Sequence, residues 1–187
     1  GASIEYVPGG TDMMVAMQGV AELVHSEGGK PYIIPGGGSN AIGSLGYVNA
    51  ALELVAQATG MGLRIDHVIH ATGSAGTQSG LVTGLVALNS GIPVLGIGVS
   101  KRQAEMERAV FDLCQDSAAH LGLPGIVKRE HVVADCGYIG QGYGIATEGM
   151  VEAVRLMAEL EGILLDPVYS GKAMAGLIDH VRQGRFA

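Results

Sequence analysis

The chain has 187 residues and a formal net charge of −7, with 48% hydrophobic residues, 16% charged residues and 31 glycines. So low a charge content excludes a disordered chain, and eleven scattered Lys and Arg against eighteen Asp and Glu exclude the basic groove that nucleic acid requires. Cys114 and Cys136 lack metal-ligand spacing and fit reduced, cytoplasmic thiols, while no apolar run approaches the roughly 18 residues of a membrane span.

Ile4 to Val7 reads as a short strand. Thr11 or Asp12 then caps a helix whose Met13, Met17, Val20 and Val24 share one face, so its methionines are packing residues. Gly28 and Gly29 end that helix, and Pro31 to Ile34 reads as a second strand running into "PGGGSNAIG". Leu45, Val48, Leu52 and Val55 form the next apolar stripe, which stops near Gly60. Asp66 to His70 is a third strand, followed by "ATGSAGTQSG" and a helix from about Gly80 to Leu88.

Pro93 to Val99 is a continuous apolar run of the kind buried on both faces of a sheet. Met106, Val110 and Leu113 mark the following helix, "HVVADC" a strand, and "GYIGQGYGI" a glycine-rich loop. Thr147 caps a helix carrying Val151, Val154 and Met157 that ends at Gly162. "GILLDPVYSG" reads as a short strand entering a loop, and Met174 to Val181 as the last helix.

Strands alternating with helices predict an α/β fold with a doubly wound, mostly parallel sheet. Ligands in such folds sit beyond the carboxyl ends of the strands. Both glycine loops fall there. A Gly/Ser/Thr turn between strand and helix presents backbone N–H groups and the positive helix end to an anion. The second is the better cradle, because Thr72, Gly73, Ser74, Ala75, Gly76 and Thr77 alternate hydroxyls with small residues. Neither loop is a Walker A or G-x-G-x-x-G site. Tyr143 and Tyr169 stand in strand-end loops, each offering a hydroxyl and a ring to a ligand. His67 and His70 point to opposite faces of one strand, so they make poor joint ligands and no metal site is expected.

Together, "PYIIPGGGSNAIGSLGYV", "HATGSAGTQSGLV" and "GQGYGIATEGMVEAVRLMAELEGILLDPVYSGKAMAGLI" resemble the ACC deaminase/D-cysteine desulfhydrase family of pyridoxal-phosphate enzymes, over nearly the whole chain and in order. Within that family the sequence is most similar to D-cysteine desulfhydrases and L-cysteate sulfo-lyases. The resemblance implies a tryptophan synthase β-like fold (fold type II), with residues 1–34 ending a small domain and 35–187 forming most of a large cofactor-binding domain. It implies pyridoxal 5′-phosphate held by the Thr72–Thr77 loop and Tyr143 and Tyr169 facing a small amino-acid substrate. Ser170 would meet the pyridine nitrogen, and Ser39 and Asn40 would line the cleft as secondary contacts.

ACC deaminases carry an acid at the Ser170 position. A serine holds positive charge on the ring less well, which favours expelling a good leaving group over opening a cyclopropane. The implied reaction is therefore β-elimination from D-cysteine or L-cysteate to pyruvate, ammonia and sulfide or sulfite. ACC deamination is the alternative within the family, and a non-catalytic module for phosphorylated ligands the alternative outside it. The family's Schiff-base lysine stands in an Asn-Lys motif that Lys30, Lys101, Lys128 and Lys172 do not match. It is expected upstream of Gly1, so this chain alone is expected to be inactive. The family also implies a cytoplasmic homodimer.

Overall fold

The computed structural model describes residues 1–186, which divide into two compact units, one of residues Gly1–Gly38 and one from Ser39 onward.

In the first unit, helix α1 (Met13–Ser26) is capped by Asp12, whose carboxylate accepts the amides of Met14 at 2.8 Å and Val15 at 3.3 Å. Its apolar stripe, with Val7, Tyr32 and Ile33, lines a cleft of about 420 Å³. The two strands expected at Ile4–Val7 and Pro31–Ile34 do not form. Both segments lack a hydrogen-bonded ladder partner among the described residues, and an extended segment without one is not a strand.

The second unit is built on a three-stranded parallel sheet in the order β1 (Val68–Thr72), β2 (Val94–Gly98), β3 (Val133–Asp135). The register pairs Val68 with Val94, Thr72 with Gly98, and Leu95 with Val133. Five helices surround it: α2 (Leu45–Gly60), α3 (Gly76–Ala87), α4 (Gln103–His120), α5 (Glu148–Glu161) and α6 (Ser170–Arg182). Alternate residues of β2 show the double winding. A Cβ on Gly96 would run into the Gln78 side chain of α3, whereas Ile97 lies against Gly176 of α6. The core on the α3–α4 side gathers Val82, Leu85, Val94, Met106, Val110 and Cys114. No helix of the described residues is long and apolar enough to cross a membrane.

Two helices begin earlier than expected. α3 starts at Gly76, not near Gly80, because it is buried on nearly every side and shows no apolar stripe to mark it. Its Gly80 and Gly84 form a groove against α2, where a Cβ on Gly80 would run into the Ser44 carbonyl and one on Gly84 would lie 2.7 Å from Ala51 Cβ. Glycine, a poor helix former, is required here by the close approach. α6 starts at Ser170, not Met174, and the strand expected within "GILLDPVYSG" is absent. Asp166 turns that segment into a helix entry: its carboxylate takes the amides of Val168 and Tyr169 at 2.7 Å and of Ser170 at 2.8 Å.

Candidate active site

The stretch expected to be one cradle loop is three pieces: the end of β1 at Thr72, a turn of Gly73, Ser74 and Ala75, and the first residues of α3, Gly76 and Thr77. This tightens the geometry for an anion. The first N–H groups of a helix have no intrahelical acceptor, and here they follow directly on the strand end. Ala75 is buried and left-handed at φ 78°, ψ −23°, a conformation that costs an alanine roughly 1–2 kcal/mol. Ser74 is exposed and Thr77 half-buried, so their hydroxyls stand at the rim. Thr72 departs from the expectation. Its hydroxyl is buried and points at Met106 Sδ, 3.6 Å away, so it supplies no side chain to the turn.

Ser39 reaches this turn: its Oγ accepts the Gly76 amide at 3.2 Å, and a Cβ on Gly76 would lie 2.7 Å from that oxygen. Asn40 does not reach it. Its side chain accepts the Gly43 amide at 2.7 Å and its carbonyl the Ser44 amide at 3.0 Å, closing the turn into α2.

The other wall comes from α6 and the loop after β3. A Cβ on Gly73 would lie 3.4 Å from the Tyr169 ring and 3.2 Å from Val99 Cγ2, so Tyr169 covers the floor of the turn. The hydroxyls of Tyr143 and Tyr169 hydrogen-bond at 2.5 Å, with the rings edge to face at 5.9 Å. Both residues remain accessible, at 55% and 43% exposure. The hydrogen bond shared with Tyr143, followed by burial, raises the Tyr169 pKa. The pair carries two protons, of which one is shared between the oxygens and one is free for a ligand. A cleft of about 710 Å³, lined by Ser100, Lys101, Cys136, Gly140 and Gln141, opens beside the same loop.

Ser170 opens α6 in front of Asp166. Its hydroxyl donates to Asp166 Oδ2 at 2.5 Å, and its Oγ accepts the Asp166 amide at 2.9 Å. Burial opposes ionisation of Asp166. The Ser170 hydroxyl and the amides of Tyr169, Ser170 and Val168 outweigh it and hold the carboxyl down at about 2. In this arrangement the Ser170 hydroxyl has only acceptor capacity left, since its proton is already committed.

Asp166 is not among the residues that the sequence motifs single out, although an Asp-Pro pair just before a helix is a legible entry signal. Lys172 enters the sequence reading only as a mismatch to the Schiff-base motif. It is fully buried, and Nζ donates to the carbonyls of Ile139 at 2.7 Å and Gly142 at 3.0 Å.

A doubly wound parallel sheet with a glycine turn at the end of its first strand, flanked by Tyr169, defines the class: an α/β protein of the kind whose ligands bind at the strand ends. The chain belongs to the pyridoxal-phosphate dependent enzyme family, whose model matches residues 1–187. It is 44% identical over 176 residues to a D-cysteine desulfhydrase of Salmonella typhi, and 43% identical to that of Salmonella paratyphi C. Each match covers 94% of this chain and 52% of the relative, so the chain spans about half the length of the curated relatives it matches. A crystal structure described as an ACC deaminase homologue superposes with a TM-score of 0.87 at 36% identity, covering 97% of this chain and 55% of that one. A threonine deaminase from T.th., at TM-score 0.53 and 22% identity over 89% of this chain and 66% of that one, shares the fold. These neighbours fit fold type II.

Proposed function

We propose that the intact protein is a pyridoxal-phosphate dependent C–S lyase, a cytoplasmic homodimer that removes sulfide from D-cysteine, or sulfite from L-cysteate, by β-elimination. With D-cysteine, the Cα–H and Cβ–S bonds break and one water is consumed, giving pyruvate, ammonia and sulfide. The observation that carries the reading is Tyr169, whose ring lies against Gly73 and whose hydroxyl is hydrogen-bonded to that of Tyr143. It supports a proton donor close to a turn suited to an anion.

The turn fits a phosphate ester on its own terms. A Cβ on Gly73 or Gly76 would crowd its walls, and the Thr77 and Gln78 amides in the first turn of α3 have no acceptor among the described residues. Ser74 to Thr77 would hold the phosphate and Ser39 would fix the Gly76 amide. When bound, the cofactor supplies an electron sink for the pair of electrons left at Cα. The tyrosine pair orients the amino acid and gives its free proton to the departing sulfur. Asp166 weakens the contrast between serine and an acid drawn from the sequence, because its carboxylate backs the Ser170 hydroxyl. Preference for a cysteine-like substrate over ACC therefore leans on the likeness to D-cysteine desulfhydrases. ACC deamination stays the second reading on the likeness to the ACC deaminase homologue.

The intact protein, loaded with pyridoxal phosphate, is to be assayed with D-cysteine, L-cysteate and ACC separately. Pyruvate with sulfide or sulfite supports the lyase, 2-oxobutyrate from ACC moves the assignment to the second reading, and no product from any of the three refutes both. Tyr169→Phe is expected to lower kcat by about 10²-fold, a typical contribution of a positioned acid, with cofactor affinity changed less than about threefold. Unchanged kcat removes Tyr169 from the chemistry.

A further inference from the structure

Lys172 is the most deeply buried cation of the described residues, at 0% exposure, and no carboxylate among them lies within ion-pair distance. A buried ammonium without a counter-ion costs several kcal/mol, and burial lowers its pKa accordingly. Such a group persists where its hydrogen bonds are needed. Two of its three donors are spent on backbone carbonyls of one loop, those of Ile139 and Gly142.

That loop lies along α6 and is pinned to it at three levels. The Tyr138 hydroxyl donates to Asp179 Oδ2 at 2.6 Å toward the end of the helix. Lys172 holds the middle, in the first turn. The Tyr143 and Tyr169 hydroxyls meet at the helix entry. Gly140, Gly142 and Gly144 surround the pinned carbonyls, with Gly140 and Gly144 left-handed at φ 71° and 74°, so the backbone has little stiffness of its own here. Tyr143 follows Gly142 directly. Without the ammonium, the chain that carries Tyr143 has no hydrogen bond to α6, among the described residues, between Tyr138 and Tyr143 itself.

We infer that Lys172 is a positioning residue for the active site: its ammonium splints the 139–142 backbone to α6 and thereby fixes Tyr143 against Tyr169. The inference rests on the proposed use of those tyrosines at the substrate, but the splint itself can be measured apart from activity.

The test compares the intact, cofactor-loaded wild type with Lys172→Met, which keeps an unbranched side chain one atom shorter and loses the donors. Hydrogen exchange of the amides of residues 139–144 is expected to speed up at least tenfold. With D-cysteine, kcat is expected to fall about 10- to 100-fold, as for a misplacement of about 1 Å. KM and cofactor affinity should move less than about threefold. In a Tyr143→Phe background the same substitution should lower kcat less than threefold, because the residue it positions is already disabled. Unchanged exchange, a kcat within twofold of wild type, or a full multiplicative loss in the Tyr143→Phe background each overturns the inference. Should Lys172→Met not fold, Lys172→Leu, which likewise has no donor, replaces it under the same criteria. If wild type turns over none of the three amino acids, the lyase reading fails while the exchange measurement still decides the splint.

Discussion

The two walls of the site are held by opposite means. On the cradle side, order comes from side chains that are missing: Gly76, Gly80 and Gly84 let α3 lie against Ser39 and α2 at distances no Cβ would allow. On the tyrosine side, order comes from polar groups that are present, with the Asp166 carboxylate gathering the entry of α6 and the Lys172 ammonium gathering the loop. At Gly80 and Gly84 no neighbour's rotamer can make room, since a Cβ there would meet the Ser44 and Val48 carbonyls. A hydrogen-bonded wall can lose one tie and keep its outline. The first should therefore fail in stability, the second in geometry and turnover.

Substitutions on each side sharpen that contrast. Gly80→Ala should be the most damaging, because its Cβ would run into the Ser44 carbonyl and stand 2.5 Å from Tyr47 Cβ. We expect a loss of about 3 kcal/mol, at the upper end of overpacking, read as a lowered urea midpoint in the intact protein. A variant as stable as wild type would show that α2 and α3 can separate freely. Asp166→Ala comes next. Loss of a helix-entry carboxylate costs about 1–2 kcal/mol, and the freed Ser170 hydroxyl should change the cofactor's absorption spectrum, whereas Gly80→Ala in whatever fraction folds should not. The Asp166 contribution has a defined sign with pH. Its folded pKa of about 2 lies below the unfolded value near 3.9, so the contribution is present above about pH 4 and fades as pH falls through 2.

How far the sequence could be read follows the same division. The parallel sheet was legible, since Val94–Gly98 forms within the apolar run Pro93–Val99 and Val133–Asp135 within "HVVADC". The Thr147 cap, which accepts the Met150 amide at 3.2 Å, was legible from residue type at a helix entry, and the first cap was narrowed to Thr11 or Asp12, of which Asp12 serves. The start of α3 was not, because glycines that permit close packing look the same in one sequence as glycines that make a turn. The strands at Ile4–Val7 and Pro31–Ile34 had the right residues, but apolar composition does not supply a ladder partner. At the site, the candidate turn and both tyrosines could be picked out, whereas Lys172 could not. Its role depends on carbonyls of Ile139 and Gly142, some thirty residues away, that no side-chain pattern encodes.

The smallest effect lies under the cradle, at His70, the register partner of Gly96. Both ring nitrogens are buried with no hydrogen-bond partner among the described residues. Burial pushes the imidazole pKa from 6.5 down to about 4. The folded protein therefore keeps His70 neutral while the unfolded chain takes up a proton below about pH 6.5. Stability is complete above that pH, falls as pH drops from 6.5 toward 4, and levels off below 4. Between pH 7 and pH 5.5 the expected loss is about 1 kcal/mol by linkage. His70→Leu should flatten that limb of the urea midpoint against pH and leave the steeper acid limb, to which Asp166 contributes, in place. The result would also locate the weakness of the cradle side. Its packing tolerates no added Cβ, yet it holds an unpaired imidazole, and the same wall that Gly80→Ala breaks outright would be loosened by protons alone. An unchanged slope in His70→Leu would mean that the ring is partnered or hydrated in the intact protein, and that packing alone governs this wall.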